Sequence, residues 1–137
     1  MLEGGFNNGP ILLFIFLAIK MAGYCLAAIV LARLFQKPQM QRFKNVLIFG
    51  FTRLLVGIAV VLATTALTNY YHIENARNVY IGVYPVRIME WFLFIWLFFD
   101  YKLEKPMRIV VYALIAGLYS YLLDIPAIAS AVLLAKY

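Results

Sequence analysis

Residues 11–34 read ILLFIFLAIKMAGYCLAAIVLARL, a run whose only charge before Arg33 is Lys20. A helix needs about 20 mostly apolar residues to cross a bilayer. The run is continuous rather than alternating, and that pattern selects helix over strand. Pro10 just before it suits a first helical turn, where a missing N–H is no loss. The preceding MLEGGFNNG lacks the basic n-region of a signal peptide, and no A-x-A-like site closes the run. We therefore read 11–34 as the first membrane helix of the mature protein.

Three more runs follow the same logic. Residues 46–67 form a second span, with Gly50 and Gly57 seven apart on one face. Small residues let membrane helices approach closely, so that face is expected to pack on a neighbour. The Thr64-Thr65 pair is placed to bond back to the preceding turn. The third run is too short to span if it starts at Val86. Started at Val79 it reaches Phe99, with Gly82 and Pro85 in its first turns and a kink or loosened turn expected at Pro85. Its second half, WFLFIWLFF (91–99), is so crowded with aromatics that we expect it to face lipid. The fourth span covers 109–134. The expected fold is an all-α integral membrane protein, a four-transmembrane-helix bundle in which residues 1–137 make a single transmembrane domain.

The composition agrees. Hydrophobic residues make up 66% of the chain and charged residues 13%, against about 45–50% and about 25% in soluble domains. The mean hydropathy is +0.89. The net charge of +6 is no nucleic-acid signal, because most of it sits in two short connections. Arg33, Lys37, Arg42 and Lys44 cluster around the first, and Lys102, Lys105 and Arg108 around the second. Lys and Arg favour the cytoplasmic side. That bias puts both basic loops in the cytoplasm, and both termini and the 68–78 loop outside, with an inner or plasma membrane as the expected location. The tyrosines at 70 and 71 fit an interfacial aromatic belt.

What points to function is the charge inside the spans. Lys20, Arg53, Arg87, Glu90 and Asp124 all fall within apolar runs. A charge in hydrocarbon costs about 2.5–3.5 kcal/mol on insertion scales, so it faces protein or water and finds a partner. With a rise of 1.5 Å per residue, Lys20, Arg87, Glu90 and Asp124 lie roughly 12–16 Å from the outer end of their helices, close to one level in a ~30 Å core. Arg53 falls apart from them, roughly 10 Å from the cytoplasmic side. Lys20 and Asp124 have opposite signs and suit a pair between the first and fourth helices. Arg87 and Glu90 are three apart on one face. Tyr24, Tyr84 and Tyr121 lie within a turn of these charges and offer hydroxyls to them.

Other chemistry is thin. Cys25 is alone, with no intrachain partner and no metal site of its own. His72, the single histidine, is a weak candidate for a general base at the membrane surface, with Glu74 or a tyrosine beside it. HExxH, G-x-S-x-G and glycine-rich phosphate loops are absent from the sequence. No metal or cofactor is expected.

Three functions compete. In the first, the charged layer binds or translocates a polar or anionic group such as a lipid head group. Lys20, Arg53 and Arg87 hold the anion, Glu90 and Asp124 tune or gate them, and Tyr24 and Tyr121 assist. The second is a non-catalytic subunit or assembly factor of a larger membrane complex. The third is a membrane enzyme acting on a lipid-linked substrate through His72. The first is preferred because the charges share a depth. Its expected partners are the lipid bilayer, an anionic lipid or small anion, and either further copies of the chain or other membrane subunits, with no nucleic acid.

Overall fold

The computed structural model describes residues 9–72 and 76–135. The described chain is all-helical. It comprises α1 (Gly9–Leu34), α2 (Phe43–Tyr70), α3 (Ala76–Phe99) and α4 (Pro106–Ala135), with a 3-10 turn at Pro38–Gln41. Each of the four is long and apolar enough to cross a membrane. Helix α3 starts three residues before the Val79 expected from the sequence and runs through Pro85 without a break. Pro85 has no N–H, so it cannot donate the ladder bond to residue 81.

The α1–α2 connection is shaped by backbone geometry. The Lys37 N–H bonds the Ala32 carbonyl at 2.8 Å and the Gln36 N–H bonds Arg33 at 3.1 Å. With Gln36 at φ 53, this is a Schellman cap that satisfies the last carbonyls of α1. After α3, the Asp100 carboxylate accepts the N–H groups of Glu104 (3.0 Å) and Lys105 (2.9 Å) and so shapes the lead-in to α4. These two connections define one end of the bundle, called here the loop end.

Helix α1 sits between α2 and α4, and α3 packs along α4, while α2 and α3 meet over a much shorter stretch. Small residues make the close approaches. Ala28 and Ala32 of α1 and Ala113 of α4 are fully buried. A methyl added at Gly50 would meet Cys25 Sγ at 2.7 Å, so α2 lies against α1 at the face the glycine spacing predicted. Thr65 and Thr68 turn their hydroxyls onto the carbonyls of Val61 (2.8 Å) and Thr64 (2.7 Å).

The α2–α3 contact is aromatic and lies toward the loop end. Phe49 of α2 is fully buried. Its ring lies 5.6 Å from Phe94, 5.2 Å from Phe98, 5.6 Å from Phe99 and 6.1 Å from Trp91, centroid to centroid. The expectation that the 91–99 aromatics face lipid is therefore corrected. Trp91, Phe94, Ile95 and Phe99 belong to the core, and Leu93 and Leu97 take the exposed positions. Alanine-lined faces on α1 and α4 leave room that large rings fill. Toward the opposite end nothing comparable joins α2 to α3 among the described residues, and a gap opens there.

Candidate functional site: a charged layer beneath an apolar cavity

Each charged side chain starts about halfway along its helix. Lys20 is eleven residues into α1, Arg87 eleven into α3, and Asp124 eleven from the end of α4, so each lies roughly 16 Å along its axis. Arg53 is ten residues into α2, roughly 15 Å by the same rise. It does not stand apart as the sequence suggested. Helix α2 begins at Phe43 rather than Val46, and that extra turn brings Arg53 into the layer.

The layer resolves into two ion-pair groups. Asp124 bridges two cations, with Lys20 Nζ on Oδ1 and Arg87 Nη2 on Oδ2, the latter at 3.0 Å. The anticipated α1–α4 pair is thus present, with α3 added to it. Arg53 Nη2 meets Glu90 Oε2 at 2.7 Å. Arg87 and Glu90, although neighbours on α3, serve different partners. Positions three apart on a helix differ by roughly 60° around the axis, so one leans toward α4 and the other toward α2.

Aromatic rings brace both groups. The Arg53 guanidinium carbon lies 5.1 Å from the Tyr24 ring, 4.9 Å from Trp91 and 5.6 Å from Phe94. Such cation–π contacts are worth about 2 kcal/mol or more once desolvated. Arg87 sits 4.7 Å from the ring of Tyr121, and Lys20 5.3 Å from Phe16. Tyr24 and Tyr121 thus act through their ring faces. Tyr84 instead donates its hydroxyl to the Leu114 carbonyl at 3.4 Å. Trp91, expected from the sequence to face lipid with the rest of the aromatic stripe, belongs to this layer instead. It is fully buried, stacks near Arg53, and donates its indole N–H to Ser120 Oγ at 2.7 Å. Nothing in a uniform apolar run distinguishes it from the aromatics beside it.

Pairing does not exhaust the layer. Arg53 is 1% exposed, yet its Nε and Nη1, like Glu90 Oε1, have no hydrogen-bond partner among the described residues. Buried donors and acceptors normally have partners, and leaving one without costs about 1–3 kcal/mol. Three cations against two carboxylates also leave the layer with one surplus positive charge.

Above the layer lies a cavity of about 500 Å³ between α1, α2 and α3. Lys20, Arg53, Arg87 and Glu90 reach it, and Tyr24 borders it. Its walls are mostly apolar, with Leu13 and Leu17 from α1 facing Ile58, Val61 and Leu62 from α2, and Thr64 and Thr65 also line it. The lack of a side chain at Gly57 keeps the floor open. A methyl there would lie 3.7 Å from Arg53 Nη1 and 3.9 Å from the Tyr24 hydroxyl. Leu13, Ile58, Val61 and Leu62 are also surface-exposed, so the cavity opens sideways at the face of the bundle. His72 is remote from it in kind: it is exposed, lies just past α2 at φ 50, and is not among the lining residues. Glu74, weighed as its partner, lies outside the described residues. No protein-family model, curated protein or solved structure matches the chain.

Proposed function

We propose that this chain is a multi-pass membrane protein whose charged layer binds, and in a transport cycle carries, an anionic group such as a lipid head group. The observation that carries the reading is Arg53. A fully buried guanidinium with two donors that have no partner among the described residues, next to a cavity that Lys20 and Arg87 also reach, is a site short of an acceptor. The surplus positive charge favours an anion over a cation or a neutral molecule.

Burial suggests an order of engagement. The Arg87 side chain is 14% exposed and Lys20 9%, whereas Arg53 is 1% exposed. An incoming anion meets Lys20 and Arg87 first. It reaches Arg53 at Nη1, beside Gly57, next to the Glu90 carboxylate on Nη2, which makes Glu90 the competing internal anion and Asp124 the fixed counter-charge. With both basic connections on the cytoplasmic side, as their Lys and Arg content favours, the cavity faces outward. A binding layer near mid-membrane is where alternating-access carriers hold their cargo. A four-helix chain is small for a complete carrier, so the reading includes assembly with further copies.

Native mass spectrometry of the purified protein with an added alkyl phosphate tests this. The wild type is expected to retain the adduct, and Arg53→Gln to weaken it at least ten-fold while remaining folded. Equal adducts on both proteins would remove the reading.

A further inference from the structure

We infer that the ligand is an amphiphile with one compact anionic head and a single hydrocarbon chain. The head takes the Lys20–Arg87–Arg53 cluster, and the chain lies in the apolar slot between α1 and α2. This rests on the anion-binding reading above and adds to it the part of the ligand that the floor does not touch.

Three observations carry it. First, the charged groups are confined to the floor, and the polar side chains higher up are Thr64 and Thr65, the latter with its hydroxyl turned onto the Val61 carbonyl. Above them the walls are Leu13, Leu17, Ile58, Val61 and Leu62. A free hydrated anion would find few partners for its water shell along that path, and an apolar wall does not replace a hydration shell. A chain-bearing anion must shed the same water from its head, but its tail matches the apolar walls and the head regains partners at the charged floor.

Second, the size is right for one chain. A water takes up roughly 30 Å³ of liquid, and a methylene is likewise one heavy atom. About 500 Å³ therefore holds on the order of 15 heavy atoms by that measure. That accommodates a head with about a dozen carbons of one chain, while the end of a longer chain, or a second chain, would lie outside the slot.

Third, the access route suits a chain. Val61 and Leu62 line the cavity and are 56% and 66% exposed, so the slot is open along its length at the surface of a membrane-spanning helix. An amphiphile enters there sideways without its tail leaving hydrocarbon. No hydrophobic gain is needed, since lipid tails and leucine walls are equally apolar. The walls act by selection, admitting chains and excluding water, and the charged floor supplies the affinity. Two sources share this chemistry, a fatty-acid carboxylate and a phosphate monoester of a long-chain alcohol.

The test is a titration of the full chain in non-ionic detergent, read by native mass spectrometry. The probes are hexadecyl phosphate, palmitate, hexadecanol, dihexadecyl phosphate and inorganic phosphate. At least one of the first two is expected to half-saturate the protein at a concentration ten-fold or more below each of the other three, and which one does so identifies the source. Val61→Trp and Leu62→Trp change exposed positions and narrow the slot. Each is expected to weaken the single-chain anion at least ten-fold. Inorganic or dihexadecyl phosphate binding as well as hexadecyl phosphate, or wild-type binding in both tryptophan variants, would overturn the single-chain inference and leave the anion site standing. Hexadecanol binding as well as hexadecyl phosphate would overturn the anion site itself.

Discussion

Asp124 is the position where removing one charge should disturb the molecule most. Its two oxygens are shared between Lys20 and Arg87, and all three side chains are at most 14% exposed. Asp124→Asn keeps the shape and removes the charge, leaving two cations stranded. Breaking a buried pair by deleting one partner costs about 3–5 kcal/mol. Two stranded cations push toward the top of that range, and the amide oxygen, which still accepts one hydrogen bond, returns about 1 kcal/mol. The expected loss is thus about 3–5 kcal/mol, a large share of a typical total of about 5–15 kcal/mol. Unfolding in mixed micelles with rising SDS, followed by the fluorescence of Trp91 and Trp96, measures it. Lys20→Met alone leaves Asp124 paired to Arg87 and should cost less, about 1.5–3 kcal/mol, on the scale of a single charged hydrogen bond. The double variant should recover about 1–3 kcal/mol relative to additivity, as contacting residues do. If Asp124→Asn lies within about 1 kcal/mol of wild type, or the double variant is additive, the bridging role is refuted.

Other consequences can be checked separately. Glu90→Gln removes the carboxylate paired with Arg53, which the proposed binding makes the ligand's competitor. It should raise alkyl-phosphate affinity about ten-fold or more, since a like charge a few Å away costs at least 1.4 kcal/mol at any protein-like dielectric, while lowering stability in the absence of ligand; unchanged or weaker binding in an equilibrium titration would contradict this. Phe49→Ala empties the aromatic contact between α2 and α3 and should cost about 3 kcal/mol, read by the same SDS unfolding. Gly50→Leu must displace Cys25 and Met21 of α1 and should lower the yield of monodisperse protein on size exclusion. Gly50→Ser should do so far less.

The sequence and the structure agree where physics leaves one choice. Four uninterrupted apolar runs admit four helices, and their charges had to meet. The Lys20–Asp124 pair was legible because opposite signs at equal depth leave few partners. Arg53 was not, because its depth depends on where α2 starts. Phe43-Lys44-Asn45 reads as loop by composition but winds as helix, shifting Arg53 by roughly 4.5 Å. The inward face of 91–99 was also illegible. A segment apolar on every side has no polar face to turn outward and so nothing to orient it, and Trp91 and Phe94 turn inward onto Tyr24 and Phe49. The separate partners of Arg87 and Glu90 follow from which helix flanks each side of α3, and spacing along one helix does not encode that.

Arg53 is the group on which the proposed anion binding rests, since in that proposal it receives the ligand from the cavity. Trp91 reports on it directly, because its ring lies 4.9 Å from the guanidinium. With Trp96→Phe leaving Trp91 as the single tryptophan, titration with hexadecyl phosphate in mixed micelles is predicted to give a saturable change in emission. That change should vanish when Arg53→Gln is added and persist when Lys37→Gln is added at the loop end. A flat titration, or one that Arg53→Gln leaves unaltered, would mean that no anion reaches Arg53.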